Sequence, residues 1–217
     1  MRLNKFKGIV FDLDGVLVDT EYYQWQGWVE ILKKYGLTIS KEEYYDYAGK
    51  NVTIIAEELI NKFNLKPKKS LSEEKEELIL RWFKSKPINL MHFSKESMKY
   101  FKELGLKIAI CSSGNKEEIL IKLNRTGINN MVDFITSRND VNRGKPFPDI
   151  YLHSAKQLNT KPSECLAFED TQYGLQSAKD AGLYCIAIPN EFSIKQDFSR
   201  ADKVFNNLEQ AVNWLKG

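Results

Sequence analysis

The chain has 217 residues, and its 32 Lys and Arg against 29 Asp and Glu give a formal net charge of +3, too small for a protein whose main task is to bind nucleic acid. Hydrophobic residues make up 42% and charged residues 28% of the sequence, which excludes a chain that stays disordered. This length favours one large domain, or one domain that carries a smaller insertion.

The N-terminal segment starts with basic residues and turns apolar, as a secretory signal does. Asp12 and Asp14 interrupt its apolar part, so we expect no signal peptide. No stretch approaches the roughly 20 apolar residues that cross a bilayer, so we expect a soluble protein with no membrane partner. The three cysteines, Cys111, Cys165 and Cys185, include no close pair, which favours neither a disulfide framework nor a zinc site and fits a reducing, cytoplasmic setting.

Short apolar runs rich in Ile, Val and Phe alternate with helix-period segments along most of the chain. This alternation is typical of an α/β fold with a doubly wound parallel sheet that helices cover on both faces. The predicted strands are 8–11, 107–111, 132–136, 165–168, 184–188 and a weak strand at 203–205. The predicted helices are 94–104, 116–126, 148–158, 171–181 and 208–215.

The stretch from about residue 20 to residue 90 departs from this alternation, because it is rich in charge and contains no run typical of a buried strand. We therefore predict a helical domain, 20–90, inserted into a core domain formed by 1–19 and 91–217. Apolar side chains such as Trp25, Trp28 and Leu32 recur every three or four residues, which favours packing inside a small helical bundle over stacking against a ligand.

Two carboxylates, Asp12 and Asp14, follow the first predicted strand. Ligands of doubly wound sheets bind beyond the carboxyl ends of the strands, so this pair is expected to face the crevice there. A calcium loop of EF-hand type would need Gly and Glu where the sequence has Leu17 and Tyr23. Taken alone, the pair is also compatible with two solvated loop acids.

Three other predicted strands are followed by polar groups. Ser112 and Ser113 precede a helix whose free N–H groups would suit a phosphate, although either serine could instead cap that helix. Lys145 stands before a proline after the third strand, and it could be an ordinary surface charge. Glu169 and Asp170 follow the fourth strand, where Asp170 could be a helix N-cap and nothing more.

Together, the four strand ends would supply carboxylates for a divalent cation, and serine and lysine donors for a phosphate. Mg²⁺ suits this set, because it takes oxygen ligands and bridges one or two carboxylates to a substrate phosphate. With the charge of the phosphate neutralised by the metal and Lys145, an aspartate could attack phosphorus. Covalent catalysis through an aspartyl-phosphate therefore becomes feasible.

Four segments, in chain order, resemble the motifs of the haloacid dehalogenase superfamily of phosphotransferases: DLDGVLVDT (12–20), ICSSG (110–114), GKPFPDIY (144–151) and FEDTQYG (168–174). The resemblance implies a Rossmann-like core domain. The helical insertion resembles the cap of the beta-phosphoglucomutase-like branch, which also contains many small-metabolite phosphatases. Asp14 argues against the dehalogenases themselves, which lack this second aspartate.

The resemblance implies a role for each matching residue. Asp12 would be the nucleophile that becomes phosphorylated, and Asp14 would be the general acid and base. The phosphoryl oxygens would be held by Ser112, Ser113 and Lys145. The Mg²⁺ cofactor would be held by acidic groups: Asp12, the backbone carbonyl of Asp14, Asp170 and, nearby, Glu169.

The cap departs from the pattern of relatives that act on hexose phosphates. These often have a His shortly after the first motif and an Arg in a glycine-containing cap loop, where this chain has Gln24 and Val52. This weakens the mutase interpretation, because a mutase needs a cap cation for the second phosphate. Lys50, Lys75 or Arg81 could substitute, so Gln24 and Lys50 are the candidate substrate residues of the cap.

We therefore expect a Mg²⁺-dependent phosphatase that hydrolyses a small phosphorylated metabolite, a sugar phosphate in particular, through an aspartyl-phosphate. A phosphosugar mutase of the beta-phosphoglucomutase type is the alternative. A catalytically idle binding module is disfavoured because the full set of motif residues is present: Asp12, Asp14, Ser112, Lys145 and Asp170. The motifs leave the oligomeric state open, and a monomer is compatible with them. The cap is expected to close over the site, exclude water and choose the substrate, with hinges near 18–20 and 89–92.

Overall fold

In the computed structural model, which describes residues 3–217, a six-stranded parallel sheet forms the centre of the fold. The strands of the chain are β1 (Gly8–Phe11), β2 (Val18–Asp19), β3 (Asn89–Leu90), β4 (Lys107–Cys111), β5 (Phe134–Thr136), β6 (Cys165–Glu169), β7 (Tyr184–Ala187) and β8 (Lys203–Val204). The order across the main sheet is β5-β4-β1-β6-β7-β8, which confirms the predicted fold class. Met1 and Arg2, the first residues of the predicted core domain, lie outside the described residues.

Residues 3–217 contain nine α-helices. They are α1 (Glu21–Lys33), α2 (Lys41–Tyr44), α3 (Val52–Phe63), α4 (Leu71–Ser85), α5 (Ser94–Glu103), α6 (Lys116–Thr126), α7 (Asp149–Gln157), α8 (Gln172–Asp180) and α9 (Leu208–Lys216). None of them is long and apolar enough to span a membrane.

Each face of the sheet has its own apolar core, because alternate residues of a strand point to opposite faces. Ile9 and Phe11 pack with helices α5, α6 and α9, whereas Val10 packs with helices α7 and α8. The three cysteines are free and buried on the second face, where they act as small apolar side chains.

The predicted strands 8–11 and 107–111 and the predicted helix 116–126 are confirmed to the residue. The observed strand β5 begins two residues later than predicted, at Phe134 instead of Val132. The Asp133 carboxylate accepts a hydrogen bond from the Ile108 N–H at 2.7 Å, in place of a backbone carbonyl of the neighbouring strand. The other strand and helix ends differ by one residue. Such shifts are usual at element ends, where hydrogen bonding is incomplete.

The helical segment contains no buried strand in the described residues, as predicted, but its last two residues form a short strand that is not buried. Asn89–Leu90 pairs antiparallel with Val18–Asp19, so a two-stranded ribbon ties together the two ends of the helical segment. Two-residue strands carry too few side chains for a sequence period to reveal them. The ribbon lies where the hinges of the cap were predicted.

Helices α1 to α4 follow one another between the two strands of this ribbon and share an apolar core. Trp28 and Leu32 are fully buried in that core, and Trp25 packs against it, as the predicted bundle packing requires. Phe192, which follows β7, also packs into this core and links it to the sheet. The division into a 20–90 cap and a core of 1–19 and 91–217 remains our proposal.

Candidate active site

The carboxyl ends of β4, β1 and β6 lie side by side, so the residues that follow them meet at one edge of the sheet. The Asp12 N–H donates to the Phe168 carbonyl at 3.0 Å, and the Ser112 N–H donates to the Thr136 carbonyl at 3.0 Å. These bonds extend the strand pairing by one residue. They fix the backbone from which the acidic and hydroxyl groups project.

Lys145 is buried at this edge with its side chain 3% exposed. Its ammonium group donates to a carboxylate oxygen of Asp12, to Oε1 of Glu169 at 2.5 Å and to the Cys111 carbonyl at 3.1 Å. Burial alone would lower the pKa of Lys145, but the two carboxylates outweigh it and raise that pKa well above its ordinary value. The alternative of a surface charge is therefore wrong.

Three carboxylates, those of Asp12, Glu169 and Asp170, converge beside this lysine, with one oxygen of each within 4.8 Å of the others. All three are buried. Burial raises the pKa of Asp12 and of Asp170, and the neighbouring carboxylates raise both further, while Lys145 opposes them. Tyr151 donates its hydroxyl hydrogen to Glu169, and Asn190 donates to Asp170 at 2.7 Å.

This donor set fits a hard divalent cation. Three carboxylates converge on one lysine, so negative charge is in excess in a buried site, and a bound cation would offset it. Gly15 lies against the same group with φ +79°, and a Cβ atom there would come within 2.2 Å of an Asp170 oxygen. Glycine therefore allows the backbone that carries Asp14 to approach Asp170 closely.

The carboxylate of Asp14 lies outside the group formed by Asp12, Glu169 and Asp170. It accepts hydrogen bonds from the Thr20 hydroxyl, from the Lys122 ammonium group and, at 3.4 Å, from the Ser112 hydroxyl. Burial would raise the pKa of Asp14, but Lys122 outweighs burial and lowers it. The side chain of Asp14 is thus not part of the carboxylate group, and only its backbone carbonyl was predicted to be a ligand.

Both predicted serines lie at the site, and neither caps the following helix. Ser112 is buried, and its hydroxyl accepts a hydrogen bond from the Gly114 N–H at 3.1 Å. Ser113 is half-buried and lines the cavity described below. Asn115 caps α6 by accepting from the Glu118 N–H at 2.9 Å.

Asp170 is not an N-cap either. Thr171 caps α8, because its hydroxyl accepts from the Gly174 N–H at 3.2 Å. The carboxyl group of Asp170 is therefore available at the strand end.

A cavity of about 100 Å³ opens at this edge, between the strand ends and helices α1 to α4. Its lining includes every residue assigned to catalysis or phosphate binding: Asp12, Asp14, Ser112, Ser113 and Lys145. Asp170 lines the cavity, but the fully buried Glu169 lies behind it. Residues from all four motifs thus line one cavity.

The predicted cap residues Gln24 and Lys50 also line the cavity. Gln24 accepts a hydrogen bond from Lys75 and donates to Glu118 at 3.4 Å, so it joins the helical segment to α6. Lys50 forms an ion pair with Glu58 at 2.8 Å.

Of the other cap positions, Lys75 and Val52 reach the cavity. Arg81 is exposed on the surface of α4 and is absent from the lining. Arg81 therefore does not replace the missing cap arginine in this structure.

Sequence reasoning missed Lys122 and Glu118, which lie on the buried face of α6. The Lys122 ammonium group is fully buried and donates to Asp14 and to Glu118 at 2.5 Å. A signal existed, because both charged residues fall on the same helical stripe as the apolar Ile119 and Leu123. A charge on an apolar stripe indicates a buried partner.

Polar contacts also join α4 to the sheet side of the cavity. Arg138 forms an ion pair with both carboxylate oxygens of Glu76, at 2.8 Å for the Nη2–Oε2 contact. Arg125 of α6 donates to the Phe83 carbonyl of α4 at 2.7 Å. The first contact holds α4 against the segment that follows β5, and the second holds α4 against α6.

The model of the haloacid dehalogenase-like hydrolase family matches residues 9–188 of this chain. The chain is 30% identical over 190 residues to the putative phosphatase YhcW of Bacillus subtilis, covering 85% of this chain and 84% of the relative. It is 29% identical over 182 residues to the phosphorylated carbohydrates phosphatase of Thermotoga maritima, covering 82% of each. The fold is similar to that of beta-phosphoglucomutase from Clostridium difficile, with a TM-score of 0.81, 24% identity and 97% of each chain covered.

Proposed function

The chain belongs to the haloacid dehalogenase-like hydrolases and is a phosphatase of that family, and from this premise we propose that it hydrolyses a small sugar phosphate through a phosphorylated Asp12. The observation that carries the proposal is the contact of Lys145 with Asp12 beside two further buried carboxylates. The arrangement thus brings together the proposed nucleophile Asp12, the lysine that would bind the phosphate, and the carboxylates that would bind a metal ion.

The side chains divide the reaction between them. Lys145 and Ser112 bind phosphoryl oxygens and orient the phosphorus toward the Asp12 carboxylate, which forms the acyl phosphate as the P–O ester bond breaks. Lys122 lowers the pKa of Asp14 in the substrate-free chain, so the acid step requires the negative charge of the bound phosphate ester to raise that pKa and protonate Asp14. Asp14 then gives this proton to the leaving alcohol oxygen and takes one from the water that releases phosphate. Thr20 and Lys122 hold the Asp14 carboxyl in position through their hydrogen bonds.

Mg²⁺ is the proposed cofactor. Asp12, Asp170, Glu169 and the Asp14 carbonyl would hold it, and it would supply positive charge that offsets the charge of the phosphate.

Two observations support a small sugar phosphate as substrate. The cavity, at about 100 Å³, is far smaller than sites for drug-sized ligands, which favours a small leaving group. The Thermotoga maritima relative is named for phosphorylated carbohydrates.

The test is phosphate release from p-nitrophenyl phosphate with added Mg²⁺. We expect Asp12→Asn to lower the rate by at least about 10³-fold, and EDTA to abolish it. Asp46→Asn, a change at an exposed aspartate of the helical segment, is the matched control and should retain the rate.

The covalent step has a separate test. Borohydride reduction of the enzyme, quenched during turnover, should convert residue 12 to homoserine, which mass spectrometry detects. Unimpaired Asp12→Asn activity, or reduction at another carboxylate, would refute the mechanism.

A phosphosugar mutase is the second candidate, and Lys75 is the observation that favours it. Lys75 lines the cavity, and its ammonium group donates to the amide oxygen of Gln24, so a second phosphate could recruit it. Incubation with beta-glucose 1-phosphate and a bisphosphate primer distinguishes the two candidates. A phosphatase yields inorganic phosphate, whereas a mutase yields glucose 6-phosphate.

A further inference from the structure

Glu21, in the first turn of α1, carries a buried carboxylate oxygen without a partner. The residue is 9% exposed and lines the cavity, and its Oε2 atom makes no hydrogen bond in residues 3–217. The only other buried side-chain atom of the described residues in that condition is Nε1 of Trp28. An unpaired buried carboxylate oxygen is costly, so its presence beside a cavity indicates a missing donor.

The charged neighbours of Glu21 do not supply this donor. Lys122 directs its hydrogen bonds to Asp14 and Glu118, and Lys75 directs its own to Gln24. Tyr44 lies near Glu21 in the same lining, and no hydrogen bond joins the two side chains. A molecule in the cavity is therefore the remaining source of a donor.

Glu21 lines the same cavity as Asp14, Ser112 and Lys145. The electrostatic interactions of Glu21 include those with Asp14 and with Asp170. An ionised carboxylate has no hydrogen to donate to a phosphoryl oxygen and repels the phosphate charge, so Glu21 is suited to the alcohol part of the substrate and not to the phosphate that Lys145 holds.

We propose that Glu21 is a specificity-determining residue that accepts a hydrogen bond from a hydroxyl group of the leaving alcohol. The enzyme then selects phosphate esters of polyols over alkyl phosphates of the same chain length. This inference rests on the proposed phosphatase function and adds the part of the substrate that the cap side of the site recognises.

The local charges disfavour a second phosphate beside Glu21. Asp14, Glu21 and Glu118 supply three negative charges there, and Lys75 and Lys122 offset two of them. A hydroxyl group meets no such repulsion, and it can also accept a hydrogen bond when the carboxyl group carries a proton.

The test compares kcat/KM for two matched pairs of esters: glycerol 3-phosphate with n-propyl phosphate, and glucitol 6-phosphate with n-hexyl phosphate. We expect the wild type to prefer the polyol of each pair by at least about tenfold, and Glu21→Leu to bring the ratio within about threefold of one. Leucine is close to glutamate in size and leaves no unpaired oxygen. Glu21→Ala serves as a second variant if leucine does not fit.

The control is Glu30→Leu, since Glu30 lies on the outer face of α1 with its side chain 43% exposed. This variant should keep the wild-type preference. The inference is overturned if the wild type shows no polyol preference, or if both Glu21 variants keep it. Failure of the proposed function looks different, because the wild type would then release no phosphate from p-nitrophenyl phosphate either.

Discussion

Two buried lysines hold the two halves of the site, and they do so in different ways. Lys145 contacts groups that belong to the sheet edge: Asp12, Glu169 and the Cys111 carbonyl. Lys122 lies in the middle of α6, contacts Asp14 and Glu118, and has its ammonium group 4.4 Å from the centre of the Phe83 ring of α4.

The difference lies in what each lysine depends on. Strand pairing fixes all the partners of Lys145, so the arrangement at the sheet edge does not require the helical segment. The surroundings of Lys122 include Phe83 and, through Glu118, Gln24, so they are complete only while α1 and α4 lie against α6. The nucleophile side of the site is thus held by the sheet alone, whereas the acid-base side also needs contacts from α1 and α4.

The strongest test of this comparison is Lys145→Met. It would leave Asp12 and Glu169 buried without a cation, which should lower the free energy of unfolding by about 3–5 kcal/mol at pH 7. The rate of phosphate release should fall by at least about 10²-fold, because the phosphoryl oxygens lose their charged partner. Urea unfolding and phosphate release measure the two effects.

Lys156→Met, a change at an exposed lysine of α7, is the control for that experiment and should alter neither quantity. A Lys145→Met enzyme of wild-type stability would contradict the assigned contacts.

A smaller effect is expected from Lys122→Met. Asp14 would keep its hydrogen bonds from Thr20 and Ser112, so we expect a loss of about 2–3 kcal/mol in the free energy of unfolding. Lys122→Arg keeps the charge and should restore part of the loss. If urea unfolding shows that Lys122→Met loses more free energy of unfolding than Lys145→Met does, then Lys122 and not Lys145 is the more important lysine for stability.

The pH dependence of stability tests the acid-base side through Glu21. Burial is the largest of the effects that raise the pKa of Glu21 from 4.5 to about 7, with Asp14 and Glu118 adding to it and Lys75 and Lys122 opposing it. The folded chain therefore binds this proton more tightly than the unfolded chain. The stabilisation is complete below pH 4.5 and is lost as the pH rises to about 7.

Glu21→Gln removes this titration. Its free energy of unfolding, relative to that of the wild type, should therefore rise by roughly 1–3 kcal/mol between pH 4.5 and pH 7. The measurement is urea unfolding of both proteins across that range. A difference independent of pH would show that Glu21 has an ordinary pKa.

The smallest effect is expected at the Arg138–Glu76 ion pair, which joins α4 to the sheet side. Both side chains are partly exposed, at 23% and 26%, so the pair should contribute about 0.2–1 kcal/mol. A double-mutant cycle with Arg138→Gln and Glu76→Gln measures the coupling, which should shrink in high salt. A coupling free energy of several kcal/mol that does not change with salt concentration would mean that this pair fixes the position of α4.

The sequence predicted the sheet edge better than the helical side, and the reason is local. The run GIVF, and the run KIAIC after its exposed first residue Lys107, are apolar because both faces of the sheet are covered. Each strand and the polar group after it can therefore be recognised. Parallel strands then place all their carboxyl ends at one edge, and Asp12, Ser112 and Asp170 converge there as predicted.

Contacts between helices were not predictable in the same way. The pairing of Lys122 with Asp14 joins residues 108 positions apart, and that of Arg138 with Glu76 joins residues 62 positions apart. Helical periodicity tells which face of α4 or α6 is buried, but not which side chain of another helix lies opposite. The sequence also did not identify Asn115 and Thr171 as the N-terminal caps of helices α6 and α8. Several neighbouring polar residues can each cap a helix, so the choice among them is not readable from the sequence.

The strands along the chain and the motifs that follow them could thus be predicted from the sequence, because the apolarity of a strand and the residues at its end are local properties of the chain. The orphaned oxygen of Glu21, the burial of Lys122 and the choice of Asn115 and Thr171 as caps were decided by packing. They depend on distances between elements that the chain reaches only when all of its helices have settled against the sheet and against one another.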